Sequence, residues 1–234
     1  MNDHYSLENA QKFKWSSISG NLNPERVSHL ETYLLGQKVL DAGCGGGAYV
    51  EFLSRKGLEV TGIDKYEEFL QVAREQGRQG TYVQGDLTNL PFPDKTFDCT
   101  YCFDVLEHID DQLAIQELAR VTKKRLIIAV PKEDEIMHNF NLTFLHYQDK
   151  THLRNYTESS LKILVSKIMY SKIAIFSELA IPTSYVVQEM IEFRQLNPSL
   201  KSIYRKTLNF ILKNLLKRSY YKQVHTGLVV IVDI

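Results

Sequence analysis

Asp41, Gly43, Gly45 and Gly47 crowd into the run Val39-Leu40-Asp41-Ala42-Gly43-Cys44-Gly45-Gly46-Gly47. An apolar strand that ends in an acid and then breaks into glycines lets backbone approach a ligand closely. Glycine has no Cβ to block the approach and tolerates positive φ. The helical spacing of Ala48-Tyr49-Val50-Glu51-Phe52-Leu53 puts the turn at a strand-to-helix junction, where α/β proteins bind nucleotide-like ligands. Two further acids suit the same task. Asp64 ends a second predicted strand, where a carboxylate can hydrogen-bond a ribose diol. Asp86 follows Gly85 past a third, and can accept from an exocyclic amine such as adenine N6. The turn lacks the lysine of a triphosphate-binding loop. Three carboxylates fit a pyrophosphate poorly. They suit a ligand with a ribose, a base and a cationic centre but no phosphate.

These residues need an alternating frame to bring them to one edge. Pro24 opens a predicted helix through Leu35, with Gly36 as its stop. Strands are expected at 38–41, 59–64, 81–84, 97–102 and 125–130, with helices over 48–56, 65–76 and 111–121 between them. Asn89-Leu90-Pro91-Phe92-Pro93-Asp94 cannot be regular structure. Thr157 caps a helix running to about Met169, and 173–181 and 227–234 are the last strands. Strands separated by helices imply parallel crossovers and a doubly wound α/β sheet.

The motifs Val39–Gly47, Val60–Asp64, Gly85–Leu87 and Phe97-Asp98 through Asp104-Val105-Leu106-Glu107-His108-Ile109 stand in this order. Together they resemble the class I S-adenosylmethionine-dependent methyltransferases, in the broad branch that includes ubiquinone-pathway enzymes. The resemblance covers roughly residues 30–180. It implies a Rossmann-like seven-stranded sheet whose last strand is antiparallel; the helical insert before that strand is read from helical spacing over about 200–216 and departs from the minimal fold. It also implies S-adenosyl-L-methionine as cofactor and assigns roles. Asp41 would lie near the amino group, and Gly43 and Gly45 against the methionine portion. Asp64 would hold the ribose hydroxyls with Lys65 beside it. Asp86 and Leu87 would bind adenine, and the Phe103 carbonyl would meet the amino group. The bland alternatives are a helix cap for Asp41 and turn formation for Asp64 or Asp86.

Methyl transfer to a hydroxyl also needs a proton acceptor, for which a histidine serves. His108 follows the fourth strand, and His146 and His152 flank Tyr147-Gln148-Asp149-Lys150-Thr151 past the fifth. His108 and His152 are the catalytic candidates, and His146 and Trp15 the substrate candidates. His108 can instead begin a helix, His152 can make a structural hydrogen bond, and Trp15 can pack an N-terminal helix. Acid-x-x-Glu-His with a distant histidine also resembles metal-dependent small-RNA methyltransferases. Here Asp104 replaces the first glutamate, and no metal is expected.

The chain of 234 residues carries no net charge. Residues 194–222 nevertheless hold eight basic residues and no acidic one. Residues 182–224 are read as a helical cap over the acceptor pocket, with an interfacial membrane helix or a homodimer contact as alternatives. The remaining divisions are an N-terminal lid at 1–30, a cofactor-binding core at 31–181 and a final strand at 225–234. Nucleic acid binding is not expected, because the rest of the chain is acidic. Three cysteines, a polar N-terminus and no apolar run of about 18 residues point to a cytoplasmic, reduced protein. Cys99 and Cys102 share a strand and so point to opposite faces. Two other functions fit in part: a dinucleotide-dependent oxidoreductase, and a cofactor-binding partner subunit without catalysis.

Overall fold

Asn23 sets the start of the first long helix. Its side-chain oxygen accepts from the backbone N–H of Glu25 (2.9 Å) and of Arg26 (3.4 Å), which are donors a helix start would leave unmatched. In the computed structural model, residues 6–12, 15–132, 151–182, 198–215 and 220–234 are described. Helices α1 (Leu7–Lys12), α2 (Ser16–Ser19) and α3 (Pro24–Tyr33) precede strand β1 (Lys38–Ala42). Then come α4 (Ala48–Ser54), β2 (Glu59–Asp64), α5 (Glu67–Glu75), β3 (Thr81–Gln84) and β4 (Phe97–Phe103). A 3-10 turn (Leu106–His108) leads to α6 (Asp111–Val121) and β5 (Thr122–Pro131). Helix α7 (Glu158–Val165), β6 (Lys172–Pro182), α8 (Pro198–Asn214) and β7 (Tyr220–Asp233) complete the described elements.

The seven strands form one sheet in the order β3-β2-β1-β4-β5-β7-β6. The first five pair in parallel, and β7 runs antiparallel to both β5 and β6. This is the doubly wound sheet with a reversed last strand that the sequence led us to expect. Each face carries a core. Leu40, Ala42, Ile128, Val130 and Leu228 face α6 and α7. Val39, Cys99, Tyr101, Ile127 and Val229 face the other way, with Leu30 of α3 and Val50 and Leu53 of α4. Cys99 and Cys102 fall on opposite sides, as strand geometry requires.

Two boundaries differ from expectation. Helix α7 keeps its Thr157 cap, where Ser160 N–H donates to Thr157 Oγ1 (3.1 Å), but it ends at Val165 rather than near Met169. Strand β7 begins at Tyr220, seven residues before Gly227. Gly227 reads as a strand boundary in sequence. In the sheet it is an interior position, where a Cβ would come within 2.9 Å of the Glu178 side chain. Glycine is there to admit its neighbour.

Glu178 of β6 is fully buried. Its carboxylate lies 2.7 Å from Arg26 and 2.7 Å from His29, both on α3. Arg26 is itself buried, and it also donates to Asp104, just past β4 (2.9 Å). Helix α3 is therefore locked to β6 and to the end of β4 by one ionic network.

Helix α8 lies within the expected helical insert, and part of its apolar face is turned outward. Leu200, Ile203, Ile211 and Leu215 are exposed, with Phe210 beside them. Periodicity establishes which residues share a face and leaves open which way the face turns.

Candidate functional site

The parallel strands bring their C-terminal ends to one edge, and the glycine turn lies on it. Gly43 takes φ +87°, and a Cβ there would come within 2.4 Å of Val105 on the loop after β4. Gly45 takes φ +50° and would meet Ser17. Both conformation and close approach exclude side chains at these positions. The N–H groups of Gly43 and Cys44 donate to Ile63 O at 2.8 and 3.0 Å. The turn is thereby hung from the end of β2.

Asp64 completes that attachment. One carboxylate oxygen accepts from Gly45 N–H (2.8 Å) and the other from Tyr66 N–H (3.0 Å). Burial raises its pKa, and these backbone bonds oppose the rise. The bond to Tyr66 is the turn-forming role that the sequence left open for Asp64. Each oxygen has a second lone pair for a further donor. Asp86 accepts from Thr88 Oγ1 (2.7 Å) and Thr88 N–H (2.9 Å), and Lys65 stands 3.4 Å away. Its pKa is lowered, chiefly by the Thr88 hydroxyl. Leu87 is buried beside it in the core.

Asp41 is buried on β1. Burial pushes its carboxyl from 3.8 up to about 7, with the Tyr101 hydroxyl opposing the shift and the charge of Asp64 adding to it. The folded state therefore holds this proton between about pH 4 and pH 7, where the unfolded chain releases it. The stability Asp41 gives through that proton is complete below about pH 4 and is lost as pH rises through 7. At one pKa unit per 1.36 kcal/mol, the loss is on the order of 4 kcal/mol at most. Asp41→Asn removes the titration. Its stability relative to wild type is expected to rise from pH 4 to pH 7 and then level off, as read by urea unfolding. A difference independent of pH would refute the shift.

Phe103 ends β4, edge-on to Tyr49 (6.1 Å between ring centroids) and under the Arg26 guanidinium (4.8 Å). Asp104 follows in a left-handed conformation, φ +55°, which Asp tolerates better than most residues. The 3-10 turn then presents Glu107 and His108. His152 comes to the same place from far along the chain, and its ring centroid lies 4.6 Å from that of His108. Thr151 Oγ1 and His108 Nδ1 are in hydrogen-bond contact at 3.0 Å. The buried Glu107 carboxylate is 3.8 Å from His108 Nε2. Ligand atoms of Glu107, His108 and His152 all lie within 4.8 Å of one another, a spacing that a divalent cation could also use.

Arg154 fixes this assembly by donating to Leu106 O (2.8 Å) and Ile109 O (2.6 Å). His146 lies outside the described residues. The Trp15 ring packs 6.2 Å from Phe69, in a small cluster with Ile18 and Val72. Its described ring contacts are those of the packing alternative.

Residues 40–130 match the methyltransferase domain family. The ubiquinone biosynthesis O-methyltransferase of Vibrio cholerae is 35% identical, over 47% of this chain and 51% of that protein. The Proteus mirabilis protein of the same name is 37% identical, over 44% of this chain and 47% of its own length. Over residues 40–130 the chain is similar to a methyltransferase domain. The match spans about half the length of these curated relatives. The methyltransferase fold extends further than the sequence likeness. A SAM-dependent methyltransferase from Archaeoglobus fulgidus is 18% identical with a TM-score of 0.65, covering 98% of this chain and all of that one. Phosphoethanolamine N-methyltransferase 2 of Haemonchus contortus, solved with S-adenosylhomocysteine, is 16% identical with a TM-score of 0.67. That alignment covers 98% of this chain and 58% of the Haemonchus protein.

Sequence reasoning missed Arg26; Thr151 and Arg154 lie in the run Tyr147–Thr157 whose likeness to an acceptor-pocket element the sequence shows, without individual roles. Nothing in the sequence distinguishes a buried Arg26 from an exposed one near a helix start.

Proposed function

We propose that this protein transfers a methyl group from S-adenosyl-L-methionine to an oxygen of a small or lipid-like metabolite. The observation that carries the proposal is the meeting, on one sheet edge, of a phosphate-averse glycine turn and a histidine pair. Asp41, Asp64 and Asp86 lie at or just past the ends of the adjacent strands β1, β2 and β3, and His108 and His152 stand beside Thr151. S-adenosylmethionine supplies an electrophilic methyl on a sulfonium, so the protein mainly positions its partners. Asp64 receives the ribose hydroxyls, Asp41 the cationic amino group, and Asp86 with the Leu87 N–H the adenine. Gly43 and Gly45 give backbone access to the methionine portion. Lys65 flanks the ribose, and the Phe103 carbonyl faces the amino group.

In this proposal His108 is the general base. The contact between its Nδ1 and Thr151 Oγ1 orients the ring, and Nε2 takes the acceptor's hydroxyl proton. The imidazolium so formed faces the Glu107 carboxylate. His152 lines the acceptor side, with His146 and Trp15 as further contacts. The naming of the Vibrio and Proteus relatives supports a hydroxyl on a lipid-like ring as acceptor.

S-adenosylhomocysteine is expected to raise the melting temperature, and NADH to leave it unchanged. Stabilisation by NADH alone would sink the proposal in favour of an oxidoreductase. Binding without turnover against a panel of phenolic and quinol acceptors would leave a non-catalytic partner subunit. Asp64→Ala is expected to weaken S-adenosylhomocysteine by about 1–3 kcal/mol, the cost of a lost charged hydrogen bond. Unchanged affinity refutes the ribose role.

We also propose that residues 194–222 bind an anionic membrane surface peripherally, ahead of a cap or homodimer role. The outward apolar stripe of α8 and the absence of acidic residues support this. No helix among the described residues is long and apolar enough to cross a membrane. The protein is expected to float with phosphatidylglycerol vesicles and not with phosphatidylcholine, and Ile203→Asp with Phe210→Asp to abolish flotation. Equal flotation of the variant, or none by wild type, overturns it.

A further inference from the structure

The glycine turn is touched from outside as well as from its ligand side. Helix α2, only four residues long, lies directly against it. A Cβ on Gly46 would come within 2.8 Å of Ser17 O and 2.6 Å of Ile18 Cδ1, and one on Gly45 within 2.7 Å of Ser17 Oγ. So short a helix gains almost nothing from its own hydrogen bonds and must be held by tertiary contacts. Arg78, from the loop after α5, supplies them. Its guanidinium is buried and donates to three main-chain carbonyls. Nη1 serves Ser17 O and Gly46 O, and Nη2 serves Ile18 O at 2.7 Å. Nε stands 3.6 Å from the carboxylate of Glu51, in the first turn of α4.

One planar cation thus joins the N-terminal segment, the glycine turn and the helix that the turn opens. We infer that Arg78 is a positioning residue for the cofactor: it holds the N-terminal segment docked, and through Gly46 it keeps the turn in its binding conformation. This rests on the reading of the turn as the S-adenosylmethionine site. A lysine cannot replace the fork, because a compact ammonium cannot reach three carbonyls arranged for a planar group. Coupling of this kind is reciprocal: if docking favours the cofactor, the cofactor favours docking by the same factor.

The test compares wild type, Arg78→Lys and Ile18→Asp, with folding checked by far-ultraviolet circular dichroism. Ile18→Asp leaves Arg78 intact and undocks the segment by burying a charge, so it keeps the test open if Arg78→Lys fails to fold. Two quantities are read: S-adenosylhomocysteine affinity by calorimetry, and acrylamide quenching of the single tryptophan, Trp15. Both variants are expected to bind S-adenosylhomocysteine about 10-fold more weakly, within the 5–150-fold range usual for coupled sites. Trp15 is expected to become more quenchable in both, and saturating S-adenosylhomocysteine to restore its protection. Wild-type affinity in both variants overturns the inference. So does weaker binding with Trp15 quenching unchanged, because Arg78 would then act on the turn alone. If wild type itself does not bind S-adenosylhomocysteine, the functional reading fails. Docking by Arg78 is then still judged by the quenching in the absence of ligand.

Discussion

His108→Gln is expected to lower kcat for methyl transfer by about 10²–10⁴-fold, the range a positioned general base contributes. KM for S-adenosylmethionine should stay close to wild type, because the imidazole is assigned to the acceptor and not to the donor. The loss should shrink with acceptors of lower hydroxyl pKa, which need less help to lose their proton. A uniform loss across acceptors would assign His108 to packing against His152. A cation held by Glu107, His108 and His152 makes a different forecast. Turnover would then vanish with EDTA and return with magnesium, manganese or zinc, and His152→Gln would be as damaging as His108→Gln.

Arg26→Met is expected to destabilise the fold by about 3–5 kcal/mol in urea unfolding, because it strands a buried carboxylate. Glu178 is fully buried, and Arg26 and His29 each stand 2.7 Å from its carboxylate. Pairing Arg26→Met with Glu178→Gln should recover most of the loss, since removing both charges removes the desolvation cost as well. Asp104→Asn should cost less than about 1 kcal/mol, because the Asp104 side chain is 54% exposed and water screens its pair with Arg26. A single Arg26→Met variant as stable as wild type would show that His29 alone satisfies Glu178.

Local chemistry was legible in the sequence, and distant convergence was not. The Asp41 to Gly47 turn, the acids at the ends of β2 and β3, the helix opened by Pro24 and the Thr157 cap are written in neighbouring residues. Period and punctuation were enough to read them. The reversed seventh strand came from the family likeness, because period two carries no direction. The His108 and His152 pair was named residue by residue, yet their contact across 43 intervening positions depends on Arg154 gripping two carbonyls of the turn. Gly227 misled because a glycine that makes room for Glu178 looks, in sequence, like a glycine that ends a strand. The direction of the α8 stripe was not legible either. Apolar spacing marks a face that avoids water, and a core is only one of the surfaces that can cover it.

The ionic lock between α3 and β6 also decides how this chain could be recombined. Its members are residues 26, 29, 104 and 178, so they are scattered over most of the sequence. A graft that exchanged the first thirty residues with those of a relative, to import another acceptor preference, would split the lock and orphan Glu178. Donor segments would have to be moved as a set: helix α3 with the Glu178 stretch of β6, and Gly227 with both. A chimera cut at the apparent edges of the cofactor core would fail to fold for a reason unrelated to the acceptor it was built to test.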